Sequence, residues 1–152
     1  MIQSILTDYT ILPSNSSAIT FPIDDVRTRK ATCCGWLQHN EGSPNYKILS
    51  GGLYEVSFNA SISAAVAGPV AVGLFQDGVL VPGTTSIVTI TTPGDFFDVS
   101  FDKLIEVCCR GNSNLSVQAV PSVLTGVTAP GTPTDTEPPI IQNANFFIIK
   151  NA

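Results

Sequence analysis

From residue 54 to residue 64 the chain alternates apolar and polar side chains. Tyr54, Val56, Phe58, Ala60, Ile62 and Ala64 fall on one face, and Glu55, Ser57, Asn59, Ser61 and Ser63 on the other. A period of two over this length predicts one long strand with a single buried face, launched by the turn Ser50-Gly51-Gly52. The same alternation returns where Phe97, Val99 and Phe101 interleave with Asp98, Ser100 and Asp102. Between them, Asp77-Gly78 separates the apolar runs 70–75 and 79–81, which is a strong local hairpin signal. Short strands are also predicted over 19–21 (stopped by Pro22), over 32–38 with the only tryptophan, over 46–49, and over the β-branched run 86–92. The runs 103–109 and 115–120 flank Arg110-Gly111-Asn112-Ser113-Asn114 and predict a second hairpin. No amphipathic helix of useful length is visible. The pattern therefore predicts an all-β, antiparallel sandwich.

The ends of the chain depart from simple alternation. Ala144-Asn145-Phe146-Phe147-Ile148-Ile149-Lys150 is apolar on both faces. A strand of an antiparallel sandwich needs only one such face, so the second calls for a cover, most simply a neighbouring subunit. Residues 121–139 are rich in Pro, Thr and Gly and read as a long exposed loop. The patch Pro13-Ser14-Asn15-Ser16-Ser17 makes residues 1–18 a candidate N-terminal arm, leaving 19–152 as the folded domain. The charged run from Asp24 to Lys30 reads as a solvated loop.

Composition narrows the function classes. The 152 residues are 43% hydrophobic and only 12% charged, enough to build one core. Twelve acidic against seven basic side chains give a net charge of -5, with the basic residues mostly scattered, which argues against nucleic acid as a partner. Low charge with much apolar material suggests that some apolar surface is shared with another subunit. No apolar run approaches the roughly 18 residues of a membrane span, so membrane insertion is not expected. The first residues lack the basic and apolar regions of a signal peptide, so synthesis in a host cytoplasm without secretory export is expected.

The strand Gly52-Leu53-Tyr54-Glu55-Val56-Ser57-Phe58, the segment Val72-Gly73-Leu74-Phe75-Gln76-Asp77-Gly78 and the ending Ala144–Lys150 together resemble the trimeric jelly rolls of the tumour necrosis factor and complement globular-head superfamily. The resemblance spans about residues 19 to 152 and leans towards the C-terminal domains of bacterial collagen-like exosporium glycoproteins and related phage proteins. It implies a jelly-roll homotrimer with the strand bearing Gly-x-Tyr and the last strand near the threefold axis. Tyr54, Val56, Phe147 and Ile149 are then the candidate trimer-interface residues, with ordinary core positions as the alternative. Val56 stands where the complement-type pattern more often has Phe, and the chain carries no collagen-like repeat.

The residues offer little for catalysis. The cysteines form two vicinal pairs, Cys33-Cys34 and Cys108-Cys109, and strand neighbours point to opposite faces, which makes Cys34 and Cys109 the inward candidates. Buried thiols, an interstrand disulfide, a four-cysteine metal site lacking the usual Cys-x-x-Cys spacing, and a catalytic cysteine all remain open readings. A cupin-like metal centre needs several histidines, and the chain has one, His39. Asp98, Asp102 and Glu106, with Asp95 nearby, could be imagined around calcium, but the spacing more simply keeps a strand face wet. The expectation is a non-enzymatic protein without cofactor or metal. On the virion surface it would be a structural trimer of the capsid-decoration or head-fibre type, gripping the major capsid protein through the N-terminal arm. The alternative is a spore- or cell-surface module that binds a host-surface glycan or a receptor.

Overall fold

The computed structural model describes residues 1–27, 35–108, 112–121 and 135–151. Among them every helical or strand element is a strand, and the strands form two six-stranded sheets. The first sheet runs in the order β10 (Phe97–Val107), β6 (Gly52–Ala64), β12 (Pro139–Lys150), β1 (Ile2–Leu6) and β3 (Ile23–Arg27), with β2 (Thr10–Ile11) also on β12. The second runs β4 (Leu37–Gln38), β5 (Tyr46–Ile48), β11 (Ser113–Ala119), β7 (Gly68–Gln76) and β8 (Val79–Leu80), with β9 (Ser86–Ile90) also on β7. Every pairing is antiparallel.

Alternation decides what the sheets bury between them. β6 turns Tyr54, Val56, Phe58 and Ile62 inwards, β12 adds Phe146 and Ile148, and β11 and β7 answer with Leu115, Val117, Val72 and Leu74, all buried. At one level of this core Phe146 stacks on Phe21 at 5.7 Å and meets Tyr46 edge-on at 4.9 Å, an arrangement that aromatic quadrupoles favour. Asp77-Gly78 closes the β7–β8 hairpin as expected, with both residues at positive φ.

Four expectations are corrected. Residues 1–18 do not form a detachable arm: β1 pairs with β12 on one edge and β3 on the other, with Ile2, Ser4, Leu6 and Leu12 buried. Ser4 stands at an inward position and Ile5 on the outer side, which hid the alternation. The charged segment beginning at Asp24 supplies the edge strand β3, and an exposed edge is where charge is useful, because it blocks pairing with other chains. β10 and β11 are not a hairpin. They belong to different sheets, each burying one face against the other, and a one-sided pattern does not reveal the partner. Residues 19–21 form no strand; a single bridge from Ala18 to Gln118 and the bond from Ile19 N–H to Val117 O (2.8 Å) hold that segment. Most of the proposed loop, 122–134, lies outside the described residues. Its end is packed: Thr136 is buried and donates to Val120 O at 2.8 Å, and Glu137 N–H donates to Pro69 O at 2.8 Å.

Deleting residues 1–6 removes the shared partner of β12 and β3. The shortened chain is expected to lose its cooperative melting transition by circular dichroism, and an unchanged Tm would show that β1 is dispensable. Phe146→Ala is expected to cost about 3–5 kcal/mol in denaturant unfolding, as for large aromatic truncations in a close-packed core.

Candidate interaction face

β12 places Phe147 and Ile149 on the outer face of its sheet because Phe146 and Ile148 take the inner one. Both outer side chains are half-buried within the single chain. The register sets their neighbours: Phe147 lies between Gln3 of β1 and Ser57 of β6, with Asp102 of β10 beyond Ser57. Ile149 stands beside Glu55, and Leu104 follows on β10. Leu104 is 55% exposed and Leu53, on the same side of β6, is 37% exposed. Apolar side chains thus stand on the outer side of three adjacent strands, with Glu55 between Ile149 and Leu104.

Several polar groups of this face pair with one another, while Ile5 of β1 and the exposed Ile23 of β3 add apolar positions towards the other edge. Gln3 donates through Nε2 to Asn145 Oδ1 at 3.4 Å, and Asn145 Nδ2 donates to Asn59 Oδ1 at 3.4 Å, linking β1, β12 and β6. Ser61 Oγ donates to Asp98 Oδ1 at 3.2 Å, and Ser57 Oγ donates to Asp102. Asp98, Asp102 and Glu106 sit four residues apart along β10, and four strand residues span about 13 Å, too far for three carboxylates to share one ion.

The four candidate interface residues divide. Tyr54 and Val56 are fully buried and point into the core of their own protomer, so they offer no surface to a neighbour, which corrects the expectation for those two. Tyr54 is held from three sides: its hydroxyl donates to Ser50 O at 2.6 Å, Trp36 packs at 5.5 Å between ring centroids, and Lys150 Nζ lies 5.7 Å from the ring centre while donating to Ser50 Oγ at 2.9 Å. Burial pushes the Tyr54 phenol above its ordinary range, partly opposed by the Ser50 hydrogen bond. Leu104 and Leu53 were missed by sequence reasoning. Leu104 follows Lys103, which shares the inward side of β10, and this obscured the alternation that marks Leu104 as outward.

Cys108 carries a free, exposed thiol at the end of β10. Cys33, Cys34 and Cys109 lie outside the described residues. Ser4, Asp24 and His39 come together, but Ser4 Oγ donates to Asp24 and His39 Nε2 faces the Ser43 carbonyl oxygen at 3.0 Å, so the ring does not address the hydroxyl as a base would.

No family model matches this chain, and no curated protein matches its sequence. Solved structures do share its architecture. The globular domain of zebrafish complement 1qA protein aligns with a TM-score of 0.62 at 8% identity, covering 99% of this chain and 96% of that one. Murine APRIL, solved at pH 8.5, aligns with a TM-score of 0.59 at 9% identity, covering 99% of this chain and 98% of that one. Such likeness shows the fold: the chain is an all-β jelly roll of the tumour necrosis factor and complement globular-head type.

Tyr54→Asp is expected to unfold the protomer, seen as lost near-ultraviolet dichroism, because it sets a short carboxylate among the apolar side chains of the core and removes the ring packed against Trp36. Tyr54→Phe removes one buried hydrogen bond and is expected to cost about 1 kcal/mol. The fold favours the neutral phenol, so stability from this group is full below the ordinary tyrosine range and is lost as pH rises through the raised one. Melting curves above about pH 10 should therefore fall less steeply for Tyr54→Phe than for the parent.

Proposed function

We propose that this chain is a non-enzymatic structural and binding module that works as a homotrimer, assembled through the outer face of the sheet containing β12. The observation that carries the reading is the set of apolar side chains Phe147, Ile149, Leu104 and Leu53 left partly or largely exposed on the outer side of this sheet. A trimer is also what the resemblance to globular-head jelly rolls implies.

Within this reading we place the trimer on a virion surface, as a decoration or head-fibre type protein, a reading that rests on the resemblance drawn from the sequence. The integration of β1 into the sheet takes away the N-terminal arm as the grip on a major capsid protein, so that contact falls to other surfaces of the trimer. The second reading is a spore- or cell-surface module that binds a glycan or receptor. Co-purification with capsids supports the first role, and specific hits on a glycan array support the second.

Sedimentation at micromolar concentration is expected to give three times the chain mass of 16.0 kDa. The double variant Phe147→Asp, Ile149→Asp is expected to sediment as a folded monomer with an unchanged far-ultraviolet spectrum, because both positions lie outside the protomer core. A parent chain that sediments as a monomer would sink the proposal.

A further inference from the structure

At the end of the first sheet where β6 stops, two exposed rings meet. Tyr9 stands just ahead of β2 and Phe96 just ahead of β10, and their centroids are 6.3 Å apart with planes at 66°. β12 and β6 lie between those two strands, so the backbones are about 14 Å apart and the rings lean towards each other across the outer face. Ser63 and Ile140, register partners on the outer side of β6 and β12, are buried accordingly, and the Ser63 hydroxyl has no hydrogen-bond partner among the described residues. Beside this aromatic roof the face sinks into a concavity of about 380 Å³, whose polar residues are Asn59, Ser61, Asp98, Ser100 and Asn143. Asp98 lies two residues beyond Phe96 and on the same side, a step of about 7 Å, so the aromatic and polar groups border one another. Ser61 Oγ occupies one oxygen of Asp98, and Asn145 occupies Asn59 Oδ1. The second Asp98 oxygen, Asn59 Nδ2, the Ser100 hydroxyl and the whole Asn143 amide have no partner among the described residues.

We infer that this concavity and its aromatic border form a binding site for an uncharged saccharide. The inference rests on the reading of the chain as a glycan-binding module and gives that reading a place in the fold. A sugar ring offers a rim of hydroxyls, which donate and accept, and a face of C–H bonds. The open carboxylate oxygen of Asp98 accepts from such a hydroxyl, the Asn143 amide donates and accepts at once, and Asn59 Nδ2 donates. The faces of the Tyr9 and Phe96 rings carry the negative side of the aromatic quadrupole, which polarised C–H bonds address. Ser63 beneath the rings is a further donor, and its burial without a partner is a cost that a ligand oxygen relieves. The volume falls at the small end of ligand sites. Charge selects within the class. Asp8, Asp95 and Asp98 are exposed at this end, and no Lys or Arg lies on β6, on β10 before Lys103 or on β12 before Lys150, so an acidic sugar meets repulsion. Leu104 and Ile149 lie six residues along β10 and β12 from Asp98 and Asn143, about 20 Å, which sets the site apart from the apolar positions proposed for the trimer.

The full chain, applied to an array of neutral, sialylated and sulfated oligosaccharides, is expected to bind among the neutral sugars, and calorimetry then gives its affinity for the strongest hit. The variant Asp98→Asn, Asn143→Gly removes the carboxylate and the open amide, while glycine keeps the φ of 51° at position 143, so its Tm is expected to match the parent's. Its affinity is expected to fall about tenfold or more, as for the loss of a hydrogen bond to a charged group, and Phe96→Ala is expected to do the same. Phe147→Asp, Ile149→Asp is expected to bind as the parent does, chain for chain. Parental affinity in either site variant overturns this site and leaves glycan binding to another surface, whereas an array without hits overturns both. Hits confined to acidic sugars, or binding lost in the Phe147, Ile149 variant, also overturn the site.

Discussion

The architecture depends on one irregularity in one strand. β12 pairs with β6 along one edge and with β1 and β2 along the other, so its register sets that of the whole sheet. Ile141 is buried opposite Ile62, and Phe146 is buried opposite Phe58, yet an odd and an even position cannot share a face of a regular strand. The bulge between Gln142 and Asn145 resolves the conflict, with two residues of β12 set against one of β6. Asn143 takes a φ of 51° there, a left-handed conformation that asparagine tolerates better than most residues. Without the extra residue, either Ile140 and Ile141 or the Phe146–Ile148 segment would have to exchange its faces.

The outer face follows from the same bulge, because it sends Phe147 and Ile149 outwards. Covering one large apolar side chain is worth about 1.5–3 kcal/mol, whereas association costs roughly 4–15 kcal/mol in lost freedom. Two side chains per protomer are thus a marginal driving force, and the addition of Leu104 and Leu53 is what makes a stable assembly through this face reasonable. The amide chain from Gln3 to Asn59 adds little affinity by itself. Its hydrogen bonds are already made within the protomer, so it can be covered without leaving polar groups stranded.

Much of this was legible in the chain, because alternation survives wherever one face is buried and the other wet. The long strand around Phe58, the Asp77-Gly78 hairpin and the alternating start of β10 could be read directly. What hid was whatever broke the code for a physical reason. Ser4 sits inward because it bonds to Asp24, so β1 looked like an arm. Asp25 faces solvent from an edge strand, and Asp24 turns inwards to Ser4 and His39, so β3 looked like a loop. Tyr54 and Val56 were grouped with Phe147 and Ile149 through a family resemblance. Face parity separates them, since Val56 lies directly opposite buried Ile148 and so shares the inner side.

The sparse charge of the chain is also placed with consequence. The two edges of the first sheet are β10 and β3, and they carry Asp98, Asp102 and Glu106 on one and the exposed Asp25 on the other. An edge strand with open backbone groups invites another chain to add on, and charged side chains raise the cost of that addition. The middle of the same sheet carries Phe147 and Ile149 on its outer side with no formal charge on β12 before Lys150. Edge-to-edge growth is therefore opposed where it would otherwise be easiest.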